Sequence, residues 1–262
     1  MSATETKESY SVVLEDVKKT FDGKDFILKG IDLKIPAGSL MAIIGFSGTG
    51  KSVMLKHMLG LFKPTSGKIE ILGQDINSLS PDDLTKFRQR FGVLFQSAAL
   101  FDDMTVLENV SFPLQEHRRD YSPERVKAIA EDKLQQVGLD PKHYGKLPSQ
   151  ISGGMQKRTG LARALALDPE ILIYDEPTTG LDPILTEMVD NLILETHRNR
   201  KGLTSIMVSH DLSAAFRIAD HIAMLDSGKV LLFGTPDDFY KTDIELVKRF
   251  VNKGMRQGNK QL

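Results

Sequence analysis

The stretch Gly45-Phe46-Ser47-Gly48-Thr49-Gly50-Lys51-Ser52 combines residue types suited to holding phosphate. It fits the spacing G-x-x-x-x-G-K-[ST], a loop that wraps a chain of phosphates. Gly48 and Gly50 lack a Cβ, so the backbone is free to turn tightly and aim N–H groups at phosphate oxygens. Lys51 brings positive charge to β- and γ-phosphates, and Ser52 offers a hydroxyl to Mg²⁺. The flanks agree. Leu40–Ile44 is a continuous apolar run, as expected of a strand buried on both faces. Val53–Leu59 follows as a mostly apolar helix, whose N-terminus would face the phosphates. A chance glycine-rich turn would carry no such flanks.

Two further sets of residues have chemical content beside that loop. Ile171-Leu172-Ile173-Tyr174 is apolar and ends in Asp175-Glu176. An ionised pair at the end of a buried strand is costly unless something uses it. Next to a phosphate loop, Asp175 can hold Mg²⁺ and Glu176 can take a proton from an attacking water. Ser152-Gly153-Gly154-Met155-Gln156 precedes helical spacing through Leu161, Ala162 and Leu165, which makes a second anion site at a helix start. An ordinary helix cap has the same look. A second phosphate reader in a chain with one phosphate loop implies service to the nucleotide of a second copy.

Positioning these groups takes an α/β chain. Val12–Val17, Phe26–Leu28 and Gly30–Ile35 read as strands before the loop, with Gly23 and Lys24 in a turn. Pro64–Gly67 reads as a turn into a strand at Ile69–Leu72; Pro81 starts a helix, and Phe91–Phe95 is a strand. From about 97 to 167 strand signals vanish, and Ser122-Pro123 opens a helix that Gly138 ends. This stretch reads as a helical subdomain inserted in the core. Strands resume at Ile171–Tyr174, Thr204–Val208 and Ile222–Leu225, and Asp226–Lys229 fits a hairpin turn into Val230–Phe233. Residues 1–240 form one domain in this reading. Residues 241–262 add a helix through Ile244, Val247, Phe250 and Val251, then a polar tail beyond Gly254.

Composition narrows the classes. The 262 residues carry 34 Lys+Arg against 35 Asp+Glu, a net charge of −1. That balance argues against nucleic acid as main partner. No cysteine is present, so disulfides, thiolate metal sites and Cys nucleophiles drop out. Met1–Ser9 lacks an apolar run, which argues against a signal peptide. Nothing approaches the ~18 apolar residues of a membrane span, so membrane work would need another chain.

The set as a whole, in order, resembles the ATPases of ABC transporters: Gly45–Ser52, Gln96, Ser152-Gly153-Gly154, Asp175-Glu176, Gly180-Leu181-Asp182-Pro183 and His210 after Val208-Ser209. The resemblance runs from about Val12 to Phe239. It implies a P-loop NTPase core with a mainly parallel central sheet, an N-terminal antiparallel β-subdomain and an inserted α-helical subdomain. It further implies a head-to-tail homodimer with two ATP molecules, each between the loop of one copy and the Ser-Gly-Gly of the other. On the same grounds Gln96 would touch Mg²⁺ or the attacking water and sense a membrane partner. Asp182 would lie at the dimer contact, and His210 would meet the γ-phosphate and orient Glu176. Phe21 would stack on adenine, unless it is simply core.

Departures refine the resemblance. Ile151 and Met155 stand where the commonest form has Leu and Gln, so Met155 brings no amide. Gly153-Gly154-Met155-Gln156-Lys157-Arg158 and the Val53 after Ser52 look like the ATPases of Mla-type phospholipid transporters. Those pair with permeases and lipid-binding MCE-domain proteins, with a small accessory subunit as a further expected partner. The implied place is the cytoplasmic face of the bacterial inner membrane. Pro113, Leu100 and Phe101 would lie where a permease docks, or serve as core. The C-terminal helix would meet the ATPase dimer contact, or pack on its own chain. An importer of small solutes or an efflux pump shares nearly every motif. A soluble ABC protein acting on ribosomes or DNA is disfavoured, because such chains carry two ATPase modules or a long coiled coil.

Overall fold

The computed structural model describes residues 9–210 and 212–258. The chain opens with β1 (Tyr10–Thr20), β2 (Phe26–Pro36), β3 (Leu40–Ile44), α1 (Lys51–Met58), β4 (Ser66–Ile71), β5 (Gln74–Asp75), α2 (Pro81–Arg88) and β6 (Phe91–Leu94). Three helices follow without an intervening strand: α3 (Val106–His117), α4 (Pro123–Gln136) and α5 (Gly153–Leu165). The chain then returns to the sheet with β7 (Ile171–Asp175), α6 (Pro183–Arg198), β8 (Thr204–Val208), α7 (Leu212–Ile218), β9 (His221–Asp226) and β10 (Lys229–Gly234). It closes with α8 (Pro236–Lys241) and α9 (Glu245–Gly258).

The strands form two sheets. One is antiparallel in the order β2-β1-β4-β5; the other runs β10-β9-β3-β8-β7-β6 and is parallel except for the β9–β10 hairpin. The expected mainly parallel core, antiparallel N-terminal sheet and helical insertion are all present. β3 is buried along its whole length because it serves two cores. Met41 and Ile43 pack with Ile31, Ile35, Ile69 and Ile71 between the sheets. Leu40, Ala42 and Ile44 pack with Leu161, Leu165, Val189 and Ile193 of the helices on the other side. Alternating side chains on a strand point to opposite faces, so an apolar run is what this position requires.

Helix starts follow local signals. Ser80, Ser122 and Ser152 each accept a backbone N–H of the first turn, and Thr105 with Glu108 closes a capping box on α3. The structure corrects the sequence reading in several places. Phe26–Leu28 and Gly30–Ile35 are one strand, because Gly30 (φ +98°) absorbs an irregularity in the pairing beside Asp16. Ser66 and Gly67 belong to β4 and not to a turn. The C-terminal helix lays Val247, Phe250 and Val251 onto its own chain, against α7 and α8. Its backbone continues past Gly254 to Gly258; residues 259–262, the rest of the expected polar tail, lie outside the described residues, as does Asp211. Leu100 packs against the core, whereas Phe101 stays 39% exposed on Phe112. Among the described residues no helix is long and apolar enough to cross a membrane.

Candidate nucleotide site

Neighbouring parallel strands deliver the candidate residues to one edge of the sheet. In the spatial order β3, β8, β7, β6 the carboxyl ends run into Gly45, into Ser209-His210, into Asp175-Glu176 and into Phe95-Gln96. Open α/β sheets bind ligands in the crevice outside those ends. A cleft of about 640 Å³ lies here, lined by Ser47, Gly48, Gly50, Lys51 and Ser52 together with Glu176 and His210.

The loop has room for phosphate because of its glycines. At Gly45 (φ +150°) a Cβ would run into the carbonyl oxygen of Leu225, so the loop can leave β3 only as glycine. At Gly48 (φ +81°) nothing lies within 4 Å of that position. The N-terminus of α1 has Gly50 as its cap and no side chain capping it, which leaves first-turn N–H groups for an anion. Phe46 and Thr49 maintain the loop: the Thr49 hydroxyl donates to the Phe46 carbonyl at 2.9 Å, and the Phe46 ring meets Phe250 of α9 at 4.6 Å.

Lys51 is buried, and its ammonium donates to the carbonyls of Gly45 (2.8 Å) and Phe46 (3.0 Å). Burial lowers its pKa, while Glu176 and Asp175 oppose that shift. Asp175 is half-buried, and its carboxyl is pushed up by burial and then by the charge of Glu176, with Lys56 and Lys51 opposing. A cation placed beside Asp175 would remove that penalty. Among the described residues no three His, Asp or Glu side chains form a metal cluster. Ser52 and Asp175 offer oxygen donors, which would suit a hard ion that keeps water and phosphate oxygens as further ligands.

Glu176 holds a left-handed backbone (φ 49°), sparsely populated for a side chain of this kind. Its N–H donates to the Val208 carbonyl at 2.9 Å, which ties it to the strand leading to His210. One carboxylate oxygen, Oε2, accepts from His210 Nδ1 at 2.6 Å and from the Thr179 hydroxyl at 3.0 Å. Among the described residues the hydrogen bonds to this carboxylate fall on Oε2 and not on Oε1.

Residues 28–179 match the ABC transporter family. The chain belongs to that family. It is an ATP-binding subunit and an ATPase of the ABC transporters. It is 41% identical over 95% of its length to the probable ribonucleotide transport ATP-binding protein mkl of Mycobacterium leprae, covering 70% of that relative. It is 40% identical over 90% of its length to the intermembrane phospholipid transport system ATP-binding protein MlaF of Haemophilus influenzae, covering 88% of it. Among solved structures, the dimeric bacterial ABC transporter cassette MJ0796 superposes with a TM-score of 0.76 at 35% identity, over 86% of this chain and 98% of that one.

The remaining ABC-transporter motif residues do not line the cleft. Gln96 is exposed at the end of β6, and its carbonyl accepts from Lys157. Ser152 caps α5 by accepting from Met155 N–H at 3.3 Å, and Gly154 packs where a Cβ would crowd Met188 at 2.8 Å. Asp182 caps α6 by accepting from Ile184 and Leu185 N–H, both at 3.0 Å. Phe21 is 58% exposed, so it is no core residue. Its ring meets Phe62 edge-on at 5.3 Å, and Lys19 lies 4.9 Å over it. Phe62, Thr179 and Ile27, which also borders the cleft, were not legible in the motif spacing. Phe62 had one usable signal, an aromatic residue just past the loop helix. Phe21→Ala is expected to raise the KM for ATP roughly tenfold, on the scale of one stacking contact, with kcat little changed. Phe21→Tyr should restore it; a KM indifferent to both changes would remove Phe21 from the site.

Proposed function

We propose that this chain powers phospholipid transport as the ATPase of an Mla-type system, on the cytoplasmic face of a bacterial inner membrane. It would act as a homodimer beneath a permease dimer, with an MCE-domain lipid-binding protein and a small accessory subunit as further partners. Residues 1–240 would be the ATPase domain, with 241–262 as an addition to it. The observation that carries the cargo reading is the match to MlaF, which spans 90% of this chain and 88% of that protein. The form Gly-Gly-Met at Gly153–Met155 supports it.

The cleft supports a division of labour. Gly45–Ser52 would cradle the phosphates of ATP, and Lys51 would exchange its two carbonyl partners for phosphate oxygens. Mg²⁺, held by Ser52 and Asp175 with Gln96 close by, would supply charge compensation for the phosphates. Glu176 would accept a proton from the attacking water through Oε1 while His210 and Thr179 fix the carboxylate through Oε2. His210 would also meet the γ-phosphate. Ser152, Gly153 and Gly154 do not border the cleft of their own chain. That supports their service, with Asp182 at the contact, to the nucleotide of a second copy.

The mkl match favours a second reading, a ribonucleotide or other small-solute cargo. One experiment separates them. Tagged Glu176→Gln chain is recovered from its native membrane with ATP in mild detergent, and proteins and lipids are read by mass spectrometry. A permease with an MCE-domain protein and phospholipid is the expected result. A permease with a solute-binding protein would overturn the cargo reading.

A further inference from the structure

Lys157 is an unusual residue to bury. It lies on α5 with 5% of its surface exposed, and among the described residues it has no carboxylate partner. Its ammonium donates instead to the backbone carbonyl of Gln96. An apolar side chain of similar length would fill the space at lower desolvation cost.

Two more residues of the same helix reach the same loop. Gly160, three residues on, lets α5 close onto the loop: a Cβ there would lie 3.0 Å from both Ala98 and Leu94. Arg163, three further, donates to the Ala98 carbonyl at 2.7 Å and lies 5.6 Å from the Phe101 ring. Spacings of three keep all three on one side of the helix. The loop they grip is not relaxed on its own. Ala98 (φ 59°) and Ala99 (φ 47°) are both left-handed, a conformation that persists where surroundings impose it. The far end is pinned as well. Buried Asn109 accepts from Phe101 N–H at 2.8 Å and donates to Phe101, Met104 and Thr105 carbonyls at 3.0–3.1 Å.

We propose that Lys157 is a positioning residue, which with Gly160 and Arg163 clamps the Gln96 loop to the helix that Ser152 caps. Fixing the Gln96 carbonyl fixes the peptide plane beside its side chain. The helix is a stiff rod, and Ser152 lies about 8 Å along it from Lys157. Displacing either end moves the other. This rests on the two-copy reading above. In it, Gln96 attends its own nucleotide and Ser152 attends the partner's, so the clamp joins the two nucleotides of the dimer.

The test compares Lys157→Met, Lys157→Arg and Gly160→Ala with the parent chain. Turnover is measured against ATP concentration, ATP binding with a fluorescent analogue, folding by thermal melt, and dimerisation by ATP-dependent sizing in the Glu176→Gln background. Lys157→Met is expected to melt no lower than the parent and to bind the analogue within about twofold, since the loop at Gly45–Ser52 is untouched. Its kcat should fall roughly tenfold, the scale of a small misplacement at a reacting centre, and its Hill coefficient should drop toward one. Lys157→Arg should recover both, and Gly160→Ala should repeat the defect by pushing α5 off Ala98. Parent-like kcat and cooperativity in Lys157→Met would overturn the clamp. So would a lowered melt and weakened binding with no rescue by arginine, which mark a merely structural lysine. If Glu176→Gln never dimerises with ATP and the parent shows no cooperativity, the two-copy reading itself falls, and the clamp's coupling role with it.

Discussion

Glu176→Gln is expected to lower ATP turnover by roughly 10²–10⁴-fold, the usual range for removing a general base. The amide has nearly the same shape, and its oxygen still accepts from His210 and Thr179. The left-handed backbone at Glu176 is held by its own N–H bond to Val208, which the change does not touch. The fold should therefore persist, ATP should bind at near-parental affinity, and the ATP-bound form should accumulate as a dimer. Single-turnover hydrolysis with equilibrium binding on the same preparation checks this. Parental hydrolysis would move the base role elsewhere.

Lys51→Ala should act on the other half of the cycle. A charge-assisted hydrogen bond is worth about 1.5–3 kcal/mol, so losing it should raise the Kd for ATP roughly 10- to 100-fold. Stability should change in the opposite sense or little. Burial already lowers the pKa of this ammonium, so the folded chain carries a desolvation cost that alanine removes. The same change frees the Gly45 and Phe46 carbonyls, which limits the gain. Calorimetric titration with ATP, beside a thermal melt, separates the effects. Unchanged affinity would exclude Lys51 from the phosphate site.

How much of this was legible depends on the range of the interaction. Leu40–Ile44 was read correctly because its burial on two faces leaves a local record, an unbroken apolar run. Glu176 and His210 were singled out in sequence by the strands that end in them. That His210 orients Glu176 was expected from the family resemblance alone; their 2.6 Å contact exists only where β7 and β8 lie side by side, so no local pattern records it. Lys157 entered the sequence reading only as one letter of Gly153–Arg158, since nothing in its neighbourhood announces a carbonyl from a distant loop. Phe26–Leu28 and Gly30–Ile35 were read as separate strands, whereas the chain runs through Lys29 and Gly30 without a break. The partner of Gly30 in the irregularity is Asp16 on another strand, so the continuous strand was invisible. Asp182 was read only as a family position at the dimer contact; the cap it makes on α6 was missed, although an Asp just before Pro183 is a local signal for one.

The seat of β3 has a bearing on how the protein is made. The strand leading into the phosphate loop pairs with β8 and β9 alone, Leu40 with Ser205 and Met41 with His221. Gly45 packs directly on the Leu225 carbonyl. Chains are synthesised from the N-terminus, and contacts that distant in sequence form only after the later segment exists. On the ribosome, therefore, the loop emerges early and waits unseated through most of translation. A chain cut short before Leu225 would contain every residue of the loop and lack the strands that hold it in shape.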